Sequence, residues 1–215
     1  MSREKLCSSE VSVAEQHQCE DLIQIFNQLF QDSENTLLVR GDDEPIYLPE
    51  SMTGNKHQVI FAHGFYASAM HEIAHWCVAG AERRLLEDYG YWYEPDGRSE
   101  EQQRLFETVE IVPQAMEKCF CLAAGFKFRV SVDNLNGSPG DTSGFAHNVD
   151  LKAQEYLEQG LPDRAQRFFD ALAEFYGTGV VTAQSTKDTL SDIPNSQTSA
   201  CEQGQPVQLP DPVLS

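Results

Sequence analysis

QVIFAHGFYASAMHEIAHWCVA, residues 58–79, reads as a strand that runs into a helix. Gln58-Val59-Ile60-Phe61-Ala62 is a short apolar run of the kind buried in a sheet; His63-Gly64 breaks it, and Phe65 to Ala79 keeps helical spacing. His71 and His75 are four apart, so on a helix they share one face about a turn from each other. Two imidazoles so placed can grip one metal ion from the same side. Glu72 lies roughly 100° around from His71, where it faces metal-bound water rather than the metal. Ser68 and Val78 flank the pair on that face, and neither is bulky. The bland alternative is a core helix whose histidines are satisfied by backbone hydrogen bonds. The HExxH spacing of two histidines and a glutamate favours a site.

Outward from this stretch, 215 residues suffice for one domain with a sizeable core. The formal net charge of −19 argues against nucleic acid and against anionic membrane surfaces, both of which require clustered Lys and Arg. It suits a partner bearing amines. Cys7, Cys19, Cys77, Cys119, Cys121 and Cys201 form no CxxC pair. Cys77 and Cys119 lie in apolar runs and read as reduced core residues. The start has no apolar core of signal-peptide length and no run reaches transmembrane length, so a soluble cytoplasmic protein is expected.

The chain is expected to divide into a flexible N-terminal arm (1–13), a folded domain (14–178) and a disordered C-terminal tail (179–215) rich in Gln, Ser, Thr and Pro. In the domain, 14–31 reads as a helix with the buried stripe Leu22, Ile25, Phe26, Leu29 and Phe30, and 36–40 as a strand. Gly41-Asp42-Asp43-Glu44-Pro45 is a turn with three carboxylates; it is either a solvated loop or a receptor for an ammonium group. Residues 46–49 are extended, 50–56 form a loop, and 81–88 continue as a charged exposed helix. Tyr89-Gly90-Tyr91-Trp92-Tyr93 puts four aromatics in five residues before a Pro-Asp-Gly turn, which reads as core filling or as the wall of a cleft. Ser99 and Gln102 form a capping box, so a helix starts there, and Pro113 is expected to kink or end it. A second helix covers 114–124, then a strand 126–132 and a polar loop 133–144. Two more helices cover 145–159 and 162–176, the last with Phe168, Leu172 and Phe175 as its buried stripe. The expected fold is α+β: a single domain with a small β-sheet packed with helices and a zincin-like HExxH metal helix.

Two histidines leave a metal short of ligands. Glu110 is the first candidate for a third, because Val109-Glu110-Ile111-Val112-Pro113 is mostly apolar and a carboxylate there is costly unless a cation meets it. Glu107, a turn earlier, is the second candidate or a partner for a histidine. His63 lines the cleft or serves as a ligand, and His147 would be isolated. Two His and one carboxylate fit hydrolytic zinc or oxygen-activating ferrous iron, and spacing does not choose between them.

Several blocks in order carry a resemblance: GDDEPIYLP (41–49), VIFAHGFYASAMHEIAHWC (59–77), YGYWYEPDGR (89–98), VEIVPQA (109–115), AAGF (123–126) and VDNL (132–135). Over roughly residues 18–178 the chain resembles the elongation factor P hydroxylase family. The resemblance implies hydroxylation of one lysine of bacterial translation elongation factor P after that lysine has received a β-lysyl group, as the last step of the modification. It implies a non-haem metal site with His71 and His75 as ligands, for which Glu110 is the chosen carboxylate, with Fe(II) as the expected ion and dioxygen as cosubstrate. No motif marks a 2-oxoglutarate site. Glu72 is expected to relay protons or orient water. Asp42, Asp43, Glu44, His63, Tyr91 and Tyr93 are expected to receive the amine-tipped chain. A small zinc peptidase using Glu72 as general base, and a non-catalytic module docking on the factor, are the competing readings.

Overall fold

The computed structural model describes residues 17–87, 99–132 and 143–183. Its sheet has three strands in the order β1-β3-β2. They are β1 (Thr36–Arg40), β2 (Ile46–Leu48) and β3 (His57–Phe61). β3 is central, parallel to β1 with Thr36 opposite His57, and antiparallel to β2 with Ile46 opposite Ile60. Gly41 ends β1 where a side chain cannot fit: a Cβ there would lie 2.5 Å from Ile60 Cγ2. Its N–H instead donates to Phe61 O at 2.9 Å, which keeps the acidic turn against the end of β3.

The described residues also form six helices: α1 (Cys19–Phe30), the short α2 (Glu50–Thr53) and α3 (Tyr66–Val78), which pack against the sheet, and α4 (Glu100–Ala124), α5 (Ser143–Gln159) and α6 (Asp163–Tyr176), which pack mainly on other helices. α1 buries Leu22, Ile25, Phe26 and Phe30, the expected stripe except for the partly buried Leu29. Phe26 and Phe30 meet Trp76 of α3 with ring centroids 4.9 and 4.8 Å apart. Such tilted aromatic packing adds roughly 0.5–1.5 kcal/mol per pair to burial alone. Arg164 of α6 lies over the same indole, 4.5 Å from its centroid, and donates to Cys77 O and Ala79 O. A cation thus closes the C-terminal end of α3, where unpaired carbonyls and the helix dipole favour it. Cys19, Cys77, Cys119 and Cys121 are buried and reduced.

Five readings of the sequence change here. Pro113 does not end a helix: α4 runs unbroken from Glu100 to Ala124. The proline costs one backbone hydrogen bond, about 3 kcal/mol. The buried run Ala115, Met116, Cys119, Phe120, Ala123 and Ala124 outweighs it by packing in the main core. Residues 126–132 are not a strand but an extended segment laid on α4, with Phe126, Phe128, Val130 and Val132 turned to the core. Its alternation is real, but it pairs with side chains instead of a neighbouring strand. The charged helix expected over 81–88 is only a 3-10 turn, Arg83–Leu85. It buries no residue, so nothing stabilises a longer helix. The loop over 50–56 contains α2. In α6, Phe168, Phe169 and Leu172 are buried, while Phe175 is 48% exposed in the last turn, where Tyr176 takes the inward contact with His17. The capping box at Ser99 is present, with Gln102 N–H donating to Ser99 Oγ and Ser99 N–H to Gln102 Oε1.

Residues 179–183, assigned by composition to the tail, pack on the domain: Thr182 is buried and its hydroxyl donates to Gln166 Oε1 at 2.9 Å. The N-terminal arm and the aromatic stretch with Tyr91 and Tyr93 lie outside the described residues, as does nearly all of the 133–144 loop. No described helix is long and apolar enough to cross a membrane.

Candidate metal centre

α3 has two different sides. Ala69, Met70, Ile73, Ala74, Trp76 and Cys77 are buried in the core, and His71, Glu72 and His75 are half-buried on the remaining surface. The helix starts from a tight reversal in which His63 (φ 51°) and Gly64 (φ 67°) are both left-handed. That conformation is unusual for a histidine and is held by His63 N–H donating to Asp42 O at 2.8 Å. Ser68 accepts the Ala62 N–H at 3.1 Å and ties the reversal to the first turn of the helix.

α4 packs against this surface and presents Glu110, Gln114 and Glu117 along one face, at the i, i+4, i+7 spacing of a helical stripe. All three are buried, with Gln114 fully so. The His71 and His75 Nε2 atoms lie 3.0 Å apart. Glu110 Oε1 is 3.2 Å from His75 Nε2, and Oε2 is 3.7 Å from His71 Nε2. Among the described residues, His71, His75 and Glu110 form the one group of potential ligand atoms that converge closely enough to hold an ion. Metal bonds of about 2.1 Å set neighbouring donor atoms about 3.0–3.4 Å apart, so the donor chemistry and the spacing both fit a single ion.

The electrostatics agree with that fit. Burial pushes the Glu110 carboxyl up, but the hydrogen bond from His75, the charges of both histidines and the Gln114 amide outweigh it and hold the carboxyl below the usual glutamate range. Glu110 is therefore an anion inside the protein, where a cation is needed. Burial raises Glu72 above the usual range, with His71 and His75 pulling it back and the Glu110 and Glu117 charges adding to the rise. His71 is raised despite burial, chiefly by its hydrogen bond to Glu117.

The structure thus brings together His71, His75 and Glu110, with Glu72 beside them. Glu107 stays outside the group; it is half-buried and accepts from Gln103 at 3.2 Å. His147 is exposed on α5. Asp42, Asp43, Glu44 and His63 are all exposed, and the His63 N–H bond to Asp42 O sets Asp42 beside the reversal that precedes α3. Tyr66, the first residue of α3, stands roughly 8 Å along the helix axis from His71. Two residues escaped the sequence reading. Glu117 accepts the His71 Nδ1–H at 2.9 Å, and Gln114 donates to Glu110 Oε2 at 3.3 Å. Their signal was the heptad-like spacing from Glu110, hidden by the supposed break at Pro113.

The family model for elongation factor P hydroxylase matches residues 25–186. The chain belongs to the elongation factor P hydroxylase family. A relative from Haemophilus influenzae, named elongation factor P lysine hydroxylase, is 57% identical over 163 residues, covering 76% of this chain and 92% of the relative. The matched span includes the second half of α1 and all of α2 to α6, with both helices of the candidate centre inside it. Hydroxylase membership leaves the peptidase and docking-module readings without support.

Proposed function

We propose that this hydroxylase acts on a lysine side chain of elongation factor P that already carries a β-lysyl group, working in the cytoplasm. The observation that carries the site assignment is the buried Glu110, whose carboxylate oxygens face the Nε2 atoms of His75 and His71 at 3.2 and 3.7 Å. These three residues would hold a single Fe(II) ion and leave positions open. Bound there, the ion supplies activation of dioxygen for hydroxylation of an aliphatic carbon.

The protein's own residues do the remaining work. Gln114 holds the acid in place from behind. Glu72 stands beside the ligands, and burial lets it keep a proton to higher pH than an exposed glutamate would. It serves to donate or accept a proton at its carboxyl next to the reacting position. The exposed carboxylates Asp42, Asp43 and Glu44 receive a substrate ammonium, and the His63 N–H bond to Asp42 O positions their turn against the start of α3. Tyr91 and Tyr93 are proposed to line the path of the aliphatic chain.

The test is mass spectrometry of purified β-lysylated factor after incubation in air with the Fe(II)-loaded protein and a two-electron reductant such as ascorbate, which reduces the second oxygen atom of dioxygen to water. A gain of one oxygen on the lysine supports the reading, and no gain with His71→Ala supports the ligand assignment. Cleavage of the factor would return the zinc-peptidase reading, and hydroxylation by His71→Ala would refute the site.

A further inference from the structure

His71 is engaged from both ends. Its Nε2 faces His75 and Glu110, while its Nδ1 lies 2.9 Å from Glu117 Oε2. An ionised carboxylate only accepts hydrogen bonds, so the proton of that contact sits on Nδ1. A metal-ligating imidazole is neutral and carries one N–H. With the proton on Nδ1, the lone pair must be on Nε2, the atom turned toward the other two ligands.

Glu117 is well placed to enforce this. It is 7% exposed, and its seat on α4 is two turns past Glu110 on the same face. One helix therefore delivers both the acid at the ion and the acid behind the histidine. A buried carboxylate held against one imidazole nitrogen fixes the ring plane as well as the tautomer.

We propose that Glu117 is the positioning residue of the metal centre, committing His71 Nε2 to the ion by holding Nδ1–H. The inference rests on the metal-centre reading above and adds a residue outside the ligand set. Outer carboxylates of this kind typically account for about 10–100-fold in metal affinity.

The experiment titrates the metal-stripped full-length chain with Co(II) against a competing chelator, and follows the visible cobalt absorption. Wild type, Glu117→Leu and Glu117→Gln are compared. Glu117→Leu removes the acceptor at similar bulk, and should weaken Co(II) binding about 10–100-fold and shift the cobalt bands. Glu117→Gln keeps an amide oxygen able to accept from Nδ1–H, and should recover part of the loss. A residue that only stabilised the fold would lower the melting temperature without this ordering of affinities. A Glu117→Leu affinity within two-fold of wild type overturns the proposal; should Glu117→Leu not fold, Glu117→Ala, which also lacks the acceptor, is held to the same limit. Wild-type protein that binds no Co(II) overturns both this inference and the metal-centre reading. Binding by wild type and the variants alike overturns this inference only.

Discussion

Replacing Gln114 by Leu tests how the centre is tied to the rest of the fold. The Gln114 amide makes three contacts: it donates to Ser131 O at 2.7 Å, accepts from Ser131 N–H at 3.1 Å, and donates to Glu110 Oε2 at 3.3 Å. A side chain therefore replaces a strand partner for Ser131 and also holds the metal acid. Leucine fills similar volume and makes none of these bonds. Ser131 is half-buried, so its two neutral bonds are worth about 1 kcal/mol each. The bond to the buried carboxylate is worth about 1.5–3 kcal/mol. The expected loss is about 3.5–5 kcal/mol. At roughly 2–4 °C per kcal/mol for a chain of this size, the melting temperature should fall by about 7–20 °C. Hydrogen exchange should localise the effect: the Ser131 amide loses protection while the amides of α5 keep theirs. A melting temperature within one or two degrees of wild type, or an unchanged Ser131 amide, would refute the claim that this side chain anchors both segments.

Three further outcomes are expected. His75→Ala and Glu110→Ala should each abolish hydroxylation and stoichiometric metal binding while preserving the far-ultraviolet circular dichroism of the metal-free protein; hydroxylation by either variant would contradict the ligand set. In the metal-free protein His71 is pushed up to about 10, because the Glu117 hydrogen bond and neighbouring carboxylates outweigh the lowering by burial. Metal must displace that proton, so affinity should rise about tenfold per pH unit through the neutral range and level off near pH 10, with about one proton released on calorimetry in buffers of different ionisation heat; affinity that is flat with pH would refute it. Burial pushes the Cys77 and Cys119 thiols up to about 12. At pH 8 they should therefore resist thiol reagents in the native state and react only on unfolding, and rapid labelling of either would place it at the surface.

Local signals decided much of this protein. The strand–helix join at 57–78 was legible because a short apolar run, a His-Gly break and helical spacing each follow from neighbouring residues. The Ser99 cap and the stripe of α1 were readable for the same reason. The HExxH spacing placed two imidazoles on one face with no knowledge of the rest of the chain, and an acid in an apolar run pointed to Glu110 over Glu107.

What only the tertiary structure decided depends on partners distant in sequence. Pro113 reads locally as a break, yet the helix continues because core packing on both sides of it exceeds the cost of one lost hydrogen bond. Residues 126–132 alternate like a strand, but strand or not depends on what lies alongside, and here it is the Gln114 amide. Glu117 looked like an ordinary helix glutamate until α3 was laid against α4 and put His71, 46 residues away in sequence, within 2.9 Å of it. Periodicity names the face of a helix; which other face it meets is settled by the packing of the whole chain.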